Sequence, residues 1–256
     1  MKDSNWIWTP QWTAEDKEIP RIVLFRKTAE LFAEPKKGSI RISADTRYKL
    51  YINGRLVETG PSRGDHQIWF YDEIDILPYL KKGKNVIGVS VLRYPEDPAA
   101  GNHGMFRTSV PGLYVTGAAQ DMEDNICDLS ADASWRCRKD ELVSFYREEE
   151  RFAPLVIHEH AEGSKELFGW RECEYREEGW LQAKAYIRKQ VSEAVSPGNL
   201  KPRNIPFLYR KKRRLEGVMD LRESSYTEND WMDFINGEKA LTIPGHTEET
   251  VVLDAG

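Results

Sequence analysis

Two predicted loops, one near residues 60–69 and one at 95–112, carry the side chains best suited to bind a sugar. These candidates are Arg63, Asp65 and Trp69 in the first loop, and Asn102 and His103 in the second. The charged groups could form hydrogen bonds with hydroxyls, and the Trp69 indole could stack on the apolar face of a sugar ring. We therefore predict a carbohydrate-binding site formed by these five residues. In the alternative interpretation, Trp69 belongs to the core and Arg63 pairs with Asp65 to brace the loop.

The sequence contains no motif typical of a catalytic centre. It has neither a GxGxxG nor a Walker phosphate loop, and no GxSxG nucleophile turn. His158 and His160 would share one face of a strand, but no spacing identifies a third metal ligand, so we predict neither a metal nor a cofactor. The acidic runs at 148–150 and at 72–75 are interpreted as solvated faces, so no catalytic residue is predicted. Three cysteines without CxxC spacing indicate reduced thiols, with a Cys127–Cys137 bridge as the alternative.

Composition and charge limit the classes of partner. The chain has 256 residues, 31% of them charged, and a net charge of −5, which gives no reason to expect nucleic acid. The basic run 211–214 is interpreted as a solvated strand or turn. No apolar run approaches the roughly 20 residues of a membrane span, so no membrane partner is expected. No secretory signal is recognisable at the start of the chain, which fits either a cytoplasmic protein or one whose signal was removed, and the compartment stays open.

Alternating apolar and polar residues identify the clearest structural element, the stretch Ser39–Gly60. Apolar side chains recur at every second position, and Asn53-Gly54 is typical of a tight hairpin turn. A bulge or kink is expected at Asp45-Thr46. Further strand-like segments recur at short intervals between glycines and prolines, which favours an all-β fold built as a sandwich.

Read as a whole, several segments resemble the N-terminal region of bacterial α-L-rhamnosidases of glycoside hydrolase family 78. They are LFRKTAELF, ISADTRYKLYINGRLVETGP and WFYDEIDILPYLKKGKNVIGVSVLRY, with weaker matches in DASWRCR, GWLQAKAY, LKPRNIPFL and VVLDAG. The resemblance implies a galactose-binding-like jelly-roll sandwich followed by part of a second β-sandwich. In that family the catalytic acid and base lie in an (α/α) barrel after these β-domains. No segment of this sequence corresponds to that barrel, so the family's catalytic residues have no positions here.

The domain organisation predicted from these observations has three parts. Residues 1–190 form the jelly-roll sandwich with an aromatic N-terminal arm, 191–204 form a linker, and 205–256 begin a second, truncated β-domain. In that last part, Leu241–Pro244 and Glu249–Asp254 are predicted as strands.

The resemblance implies a non-catalytic N-terminal region of an inverting glycosidase that acts on rhamnose-containing glycans. Its partners would be the carbohydrate and a downstream catalytic domain, and the chain alone is expected to be inactive. The alternatives are a free-standing carbohydrate-binding module and a structural interface domain without a sugar site.

Overall fold

A computed structural model describes residues 6–64, 68–95, 110–147, 157–186, 200–211 and 213–256. The chain divides into two compact units, Met1–Ile205 and Pro206–Gly256. Most of the predicted linker falls outside the described residues. Its described end, Leu200–Pro202, is a strand that pairs in parallel with Trp69–Tyr71. No helix among the described residues is long and apolar enough to cross a membrane.

The all-β prediction is confirmed, since the described residues form many strands and a single α-helix. In chain order the strands of the first unit are β1 (Trp6–Trp8), β2 (Arg21–Leu31), β3 (Pro35–Asp45), β4 (Arg47–Ile52), β5 (Arg55–Gly60), β6 (Trp69–Asp75), β7 (Gly83–Arg93), β8 (Gly112–Asp121), β9 (Ile126–Asp128), β10 (Arg136–Lys139), β11 (Val143–Arg147), β12 (Ile157–Ala161), β13 (Leu181–Gln182), β14 (Lys184–Tyr186) and β15 (Leu200–Pro202). The second unit contains β16 (Gly217–Arg222), helix α1 (Glu228–Asn236) and β17 (Thr250–Asp254).

Two sheets make up the sandwich of the first unit. The seven-stranded sheet has the order β14-β1-β8-β3-β6-β15, with β9 added on β8, and the six-stranded sheet has the order β13-β10-β2-β7-β4-β5. Strands β11 and β12 form a separate antiparallel pair. In β3, alternate residues Ile40 and Ile42 are buried while Arg41 is exposed, so one face of this strand lies on the core and the other is open to solvent around Arg41.

The core contains side chains from both sheets. Ile42 and Val115 come from the seven-stranded sheet, Phe25 and Val89 come from the six-stranded sheet, and Trp135 fills space beside them. All five are fully buried. Burial of such side chains contributes roughly 1.5–3 kcal/mol each, which makes this core the main source of the unit's stability.

The Ser39–Gly60 stretch folds partly as predicted. The turn at Asn53-Gly54 is confirmed, with φ of 49° and 80°. However, the expected kink at Asp45-Thr46 is a crossing between sheets. The chain leaves β3 in one sheet and enters β4 in the other. The Thr46 amide donates to Leu92 O at 3.1 Å, which fixes the start of β4 against β7.

The second unit is a two-stranded antiparallel sheet, β16 with β17, and one helix. The predicted strand near 249–254 is confirmed as β17, whereas Leu241–Pro244 has no regular structure. Helix α1 begins with a capping box formed by Thr227 and Asp230 and ends at Gly237, which has a φ of 78°.

Candidate functional site

The structure shows two of the five predicted sugar-binding residues. Arg63 is exposed in the loop 61–64, after β5. Trp69, the first residue of β6, is 5% exposed and packs in a cluster with Trp6 and Leu200, so it acts as a packing residue here. The other three predicted residues, Asp65, Asn102 and His103, lie outside the described residues.

Close backbone contacts define the shape of the loop that carries Arg63. A Cβ atom on Gly64 would lie 2.2 Å from Ile68 O and 3.1 Å from the Trp69 Cα, so only glycine fits at this position. At the start of the loop, a Cβ on Gly60 would lie 2.2 Å from Asp72 Oδ2. The loop therefore lies directly against the first residues of β6.

Below this loop lies a buried network of charged groups centred on the Asp72 carboxylate. Nε of Arg203 is 2.5 Å from Asp72 Oδ1, and the hydroxyl of Tyr48 donates to Asp72 Oδ2. Burial and the negative charge of Asp72 raise the pKa of Tyr48, which keeps its proton. The interpretation of residues 72–75 as a solvated face is thus wrong for Asp72, which is fully buried because Arg203 neutralises it.

Arginines surround the same loop. Nη1 of Arg47 donates to Pro61 O at 2.7 Å. Burial lowers the pKa of Arg47, and the nearby positive charges of Arg203 and Arg63 lower it further. These contacts hold the start of the loop to the sandwich and leave Arg63 as its exposed charge.

A groove of about 550 Å³ lies on the outer face of the seven-stranded sheet, over β8, β3 and β6. The strand register places Arg41 between Thr116 on β8 and Glu73 on β6, and it places Ser39 opposite Asp75. These five side chains point away from the core, since the alternate residues of β3 are buried. The groove thus brings one guanidinium, two carboxylates and two hydroxyl groups together on one surface.

Arg41 is held in a defined orientation within this groove. Its Nε lies 2.7 Å from Glu73 Oε1, and its guanidinium carbon lies 5.5 Å from the centre of the Tyr71 ring. The hydrogen bond to Glu73 raises the pKa of Arg41, and the nearby Tyr71 hydroxyl contributes to this shift. Burial raises the pKa of Tyr114, and the positive charge of Arg41 partly opposes this rise. The Tyr114 ring therefore also lies close to the guanidinium. Arg41 remains charged, with N–H groups besides Nε that can donate to a ligand.

The sequence prediction missed these groove residues. Alternation in β3 already placed Arg41 on the open face, and that was the available signal. The partner Glu73 lies on a strand 32 residues further along, and its register with β3 cannot be read from alternation alone.

Other groups considered in the sequence have ordinary environments. His158, on β12, stacks on Tyr146 with ring centres 5.1 Å apart. Within the described ranges, no three His, Cys, Asp or Glu side chains are grouped as metal ligands. Cys127, Cys137 and Cys173 are free thiols, so the alternative of a Cys127–Cys137 bridge is wrong.

Comparison with known proteins identifies relatives that share this architecture. No protein-family model matches the chain. An α-L-rhamnosidase from Streptomyces avermitilis is 24% identical over 185 residues, which are 72% of this chain and 14% of that protein. The crystal structure of the GH78 rhamnosidase of Bacillus sp. GL1 superposes with a TM-score of 0.62 at 25% identity, over 84% of this chain and 21% of that chain.

An α-L-rhamnosidase from Aspergillus terreus shares the fold, with a TM-score of 0.59 at 19% identity, over 88% of this chain and 25% of that chain. The chain therefore spans a quarter or less of the length of these relatives. Over most of its length, the chain is homologous to part of the GH78 α-L-rhamnosidases.

Proposed function

We propose that this chain is a non-catalytic β-sandwich region of an α-L-rhamnosidase-like protein that acts on rhamnose-containing glycans. One observation carries the proposal: the similarity covers 84% of this chain but only 21% of the Bacillus rhamnosidase. The described strands of the first unit form a sandwich whose facing sheets enclose an apolar core. Its natural partner is a separate catalytic domain of the same protein, as the sequence resemblance implies.

The environments of the buried carboxylates support a non-catalytic role. An inverting glycosidase needs two carboxyl groups about 6.5–9.5 Å apart, one of them kept protonated by a raised pKa. Asp45 lies 2.5 Å from Nη1 of Arg93, and Asp72 lies 2.5 Å from Nε of Arg203. Both carboxylates are fully buried against an arginine, so neither is accessible to a substrate.

Asp140 is the described carboxyl group that comes nearest to a general acid. Burial raises its pKa, and the negative charge of Glu166 adds to that effect. However, the amide of Leu142 donates to its Oδ1 at 3.0 Å, and the charges of Arg171 and Arg138 also favour its ionised form. Asp140 is therefore the carboxyl group whose substitution best tests whether this region has a catalytic acid.

The test is turnover of an aryl α-L-rhamnoside by the purified chain, with an intact GH78 rhamnosidase as positive control. We expect no release of the aryl group above the buffer rate. Turnover by the purified chain that disappears in the variant Asp140→Asn would overturn the proposal, because it would place a catalytic acid within this region. Turnover unchanged in that variant would overturn it as well, and would direct the search to the other carboxylates.

A further inference from the structure

We propose that the groove over β8, β3 and β6 binds a neutral saccharide, with Arg41 and Glu73 as its recognition pair. This inference goes beyond the non-catalytic role proposed above and does not depend on it. It also uses a different surface from the two loops singled out in the sequence. The groove's volume, about 550 Å³, is within the range of small-molecule sites and accommodates one or two sugar rings.

The pair of Arg41 and Glu73 offers donors and acceptors at fixed positions. Nε of Arg41 is engaged by Glu73 Oε1 at 2.7 Å, which leaves the terminal guanidinium N–H groups to donate and Oε2 of Glu73 to accept. Two neighbouring hydroxyls of a sugar can each donate one hydrogen bond and accept another. A guanidinium and a carboxylate side by side therefore match a vicinal diol, and hydrogen bonds to charged groups are the stronger kind.

The surroundings of Arg41 reduce the entropic cost of binding. Its guanidinium is held by Glu73 and lies 5.5 Å from the centre of the Tyr71 ring. An arginine side chain that is already ordered loses less freedom when a ligand binds. Thr116, opposite Arg41 on β8, and Ser39, two residues before it on β3, add hydroxyl groups that can each donate and accept.

Charge selects the class of saccharide. Among the lining residues, two carboxylates, Glu73 and Asp75, accompany one guanidinium, Arg41. An acidic sugar would bring a third negative charge into this groove, and like charges at close range are unfavourable. The groove therefore favours neutral sugars over uronic acids.

The ion pair itself can be altered without loss of the fold. The side chains of Arg41 and Glu73 are 51% and 56% exposed. Exposed pairs of this kind contribute at most about 1 kcal/mol to stability. Binding and folding can thus be separated experimentally.

Calorimetric titration of the whole chain with methyl α-L-rhamnoside, methyl β-D-galactoside and galacturonic acid tests the proposal. We expect saturable binding of at least one neutral glycoside, about tenfold or more weaker in Arg41→Gln and in Glu73→Gln, and no binding of galacturonic acid. The matched control is Arg55→Gln, which removes an exposed arginine that lies 6.0 Å from the ring of Tyr79, outside the groove. Its affinity should equal that of the unaltered chain.

Three outcomes would overturn the proposal. The first is that neither neutral glycoside binds saturably. The second is that Arg41→Gln and Glu73→Gln both bind the glycoside as tightly as the unaltered chain. The third is that galacturonic acid binds more tightly than the neutral glycosides. Thermal unfolding of each variant shows whether a loss of binding reflects the site or the fold. If Arg41→Gln unfolds, Thr116→Val provides the second test, since it removes only a hydroxyl that lines the groove. None of these results depends on rhamnoside turnover, so failure here leaves the proposed non-catalytic role to its own test.

Discussion

The carboxylate of Asp72 and the guanidinium of Arg203 form a buried ion pair between residues 131 positions apart, with Nε 2.5 Å from Oδ1 and Nη2 3.3 Å from Oδ2. Asp72 is fully buried, and the Arg203 side chain is 10% exposed. The amide of Arg203 also donates to Tyr71 O at 2.8 Å, just after the parallel pairing of β15 with β6. This residue therefore ties the end of the first unit to its seven-stranded sheet by both backbone and side chain.

Replacing Arg203 by Met should destabilise the first unit strongly. The substitution keeps most of the side-chain volume but leaves the Asp72 carboxylate buried without its counter-charge. Removal of one partner of a buried pair costs about 3–5 kcal/mol. The urea midpoint measures the loss, and Lys36→Gln is the control because it breaks a pair, with Asp124, whose side chains are 39% and 66% exposed. Equal midpoints for the two variants would contradict a structural role for the buried pair.

Replacing Gly117 by Ala should disturb the pairing of β8 with β3. Gly117 has a φ of 145°, and a Cβ there would lie 2.2 Å from Ser39 O on the neighbouring strand. Backbone atoms cannot yield as a flexible side chain can, so we expect a loss of about 1–3 kcal/mol in the free energy of unfolding. Gly163→Ala is the matched control, because no atom lies within 4 Å of its added Cβ. Urea unfolding that does not distinguish the two variants would show that the strands separate easily.

Much of the sandwich could be predicted from local sequence pattern. Alternation identified β3 and β4, and Asn53-Gly54 identified the turn that follows, because both signals depend on neighbouring residues alone. The crossing between sheets at Asp45-Thr46 could not be predicted in this way. At that point the buried Asp45 pairs with Arg93, 48 residues away, and such a contact between distant residues cannot be read from local pattern.

The candidate site was harder to predict for the same reason. Alternation shows that Arg41 faces outward, but the pairing of β3 with β6 decides that Glu73 lies beside it. The sequence alone does not distinguish the acidic residues of the run at 72–75 from one another. In the structure, its residues alternate between the buried Asp72, paired with Arg203, and the exposed Glu73, which lines the groove.

Asp121 should make stability depend on pH in the acidic range. Burial alone would raise its pKa, but hydrogen bonds from the Asn125 side chain and from the amides of Ala33 and Asn125 outweigh that effect and lower it. A carboxyl whose pKa is lower in the folded state stabilises the fold above its unfolded pKa of about 3.9. That contribution disappears as the pH falls through the lower, folded-state pKa.

The variant Asp121→Asn isolates this contribution. It should lower the urea midpoint at about pH 7, and the difference from the unaltered chain should shrink as the pH falls below about 3.9, where the carboxyl of the unfolded chain becomes protonated. Asp124→Asn serves as the control, because it alters an exposed carboxylate three residues further along the chain that pairs with Lys36. If the midpoint difference stays constant across this pH range, the loss of stability in Asp121→Asn comes from changed packing and hydrogen bonding, not from the lost negative charge.

The three thiols should differ in reactivity in the order of their exposure. Burial raises the pKa of Cys137 to about 11, so only about one thousandth of it is thiolate at pH 8, and it is fully enclosed in the core. Cys173 is also buried, and its Sγ lies 3.3 Å from both Asn53 Oδ1 and Lys84 O, either of which can accept the thiol proton. Cys127 is half-buried on β9, so a disulfide reagent at about pH 8 should modify Cys127 first.

Mass spectrometry of timed samples identifies the modified residue. The variant Cys127→Ser should remove the fast phase of modification, while the other two thiols should react only on addition of denaturant. Modification of Cys137 in the folded chain as fast as that of Cys127 would show that the core between the two sheets opens on the timescale of labelling.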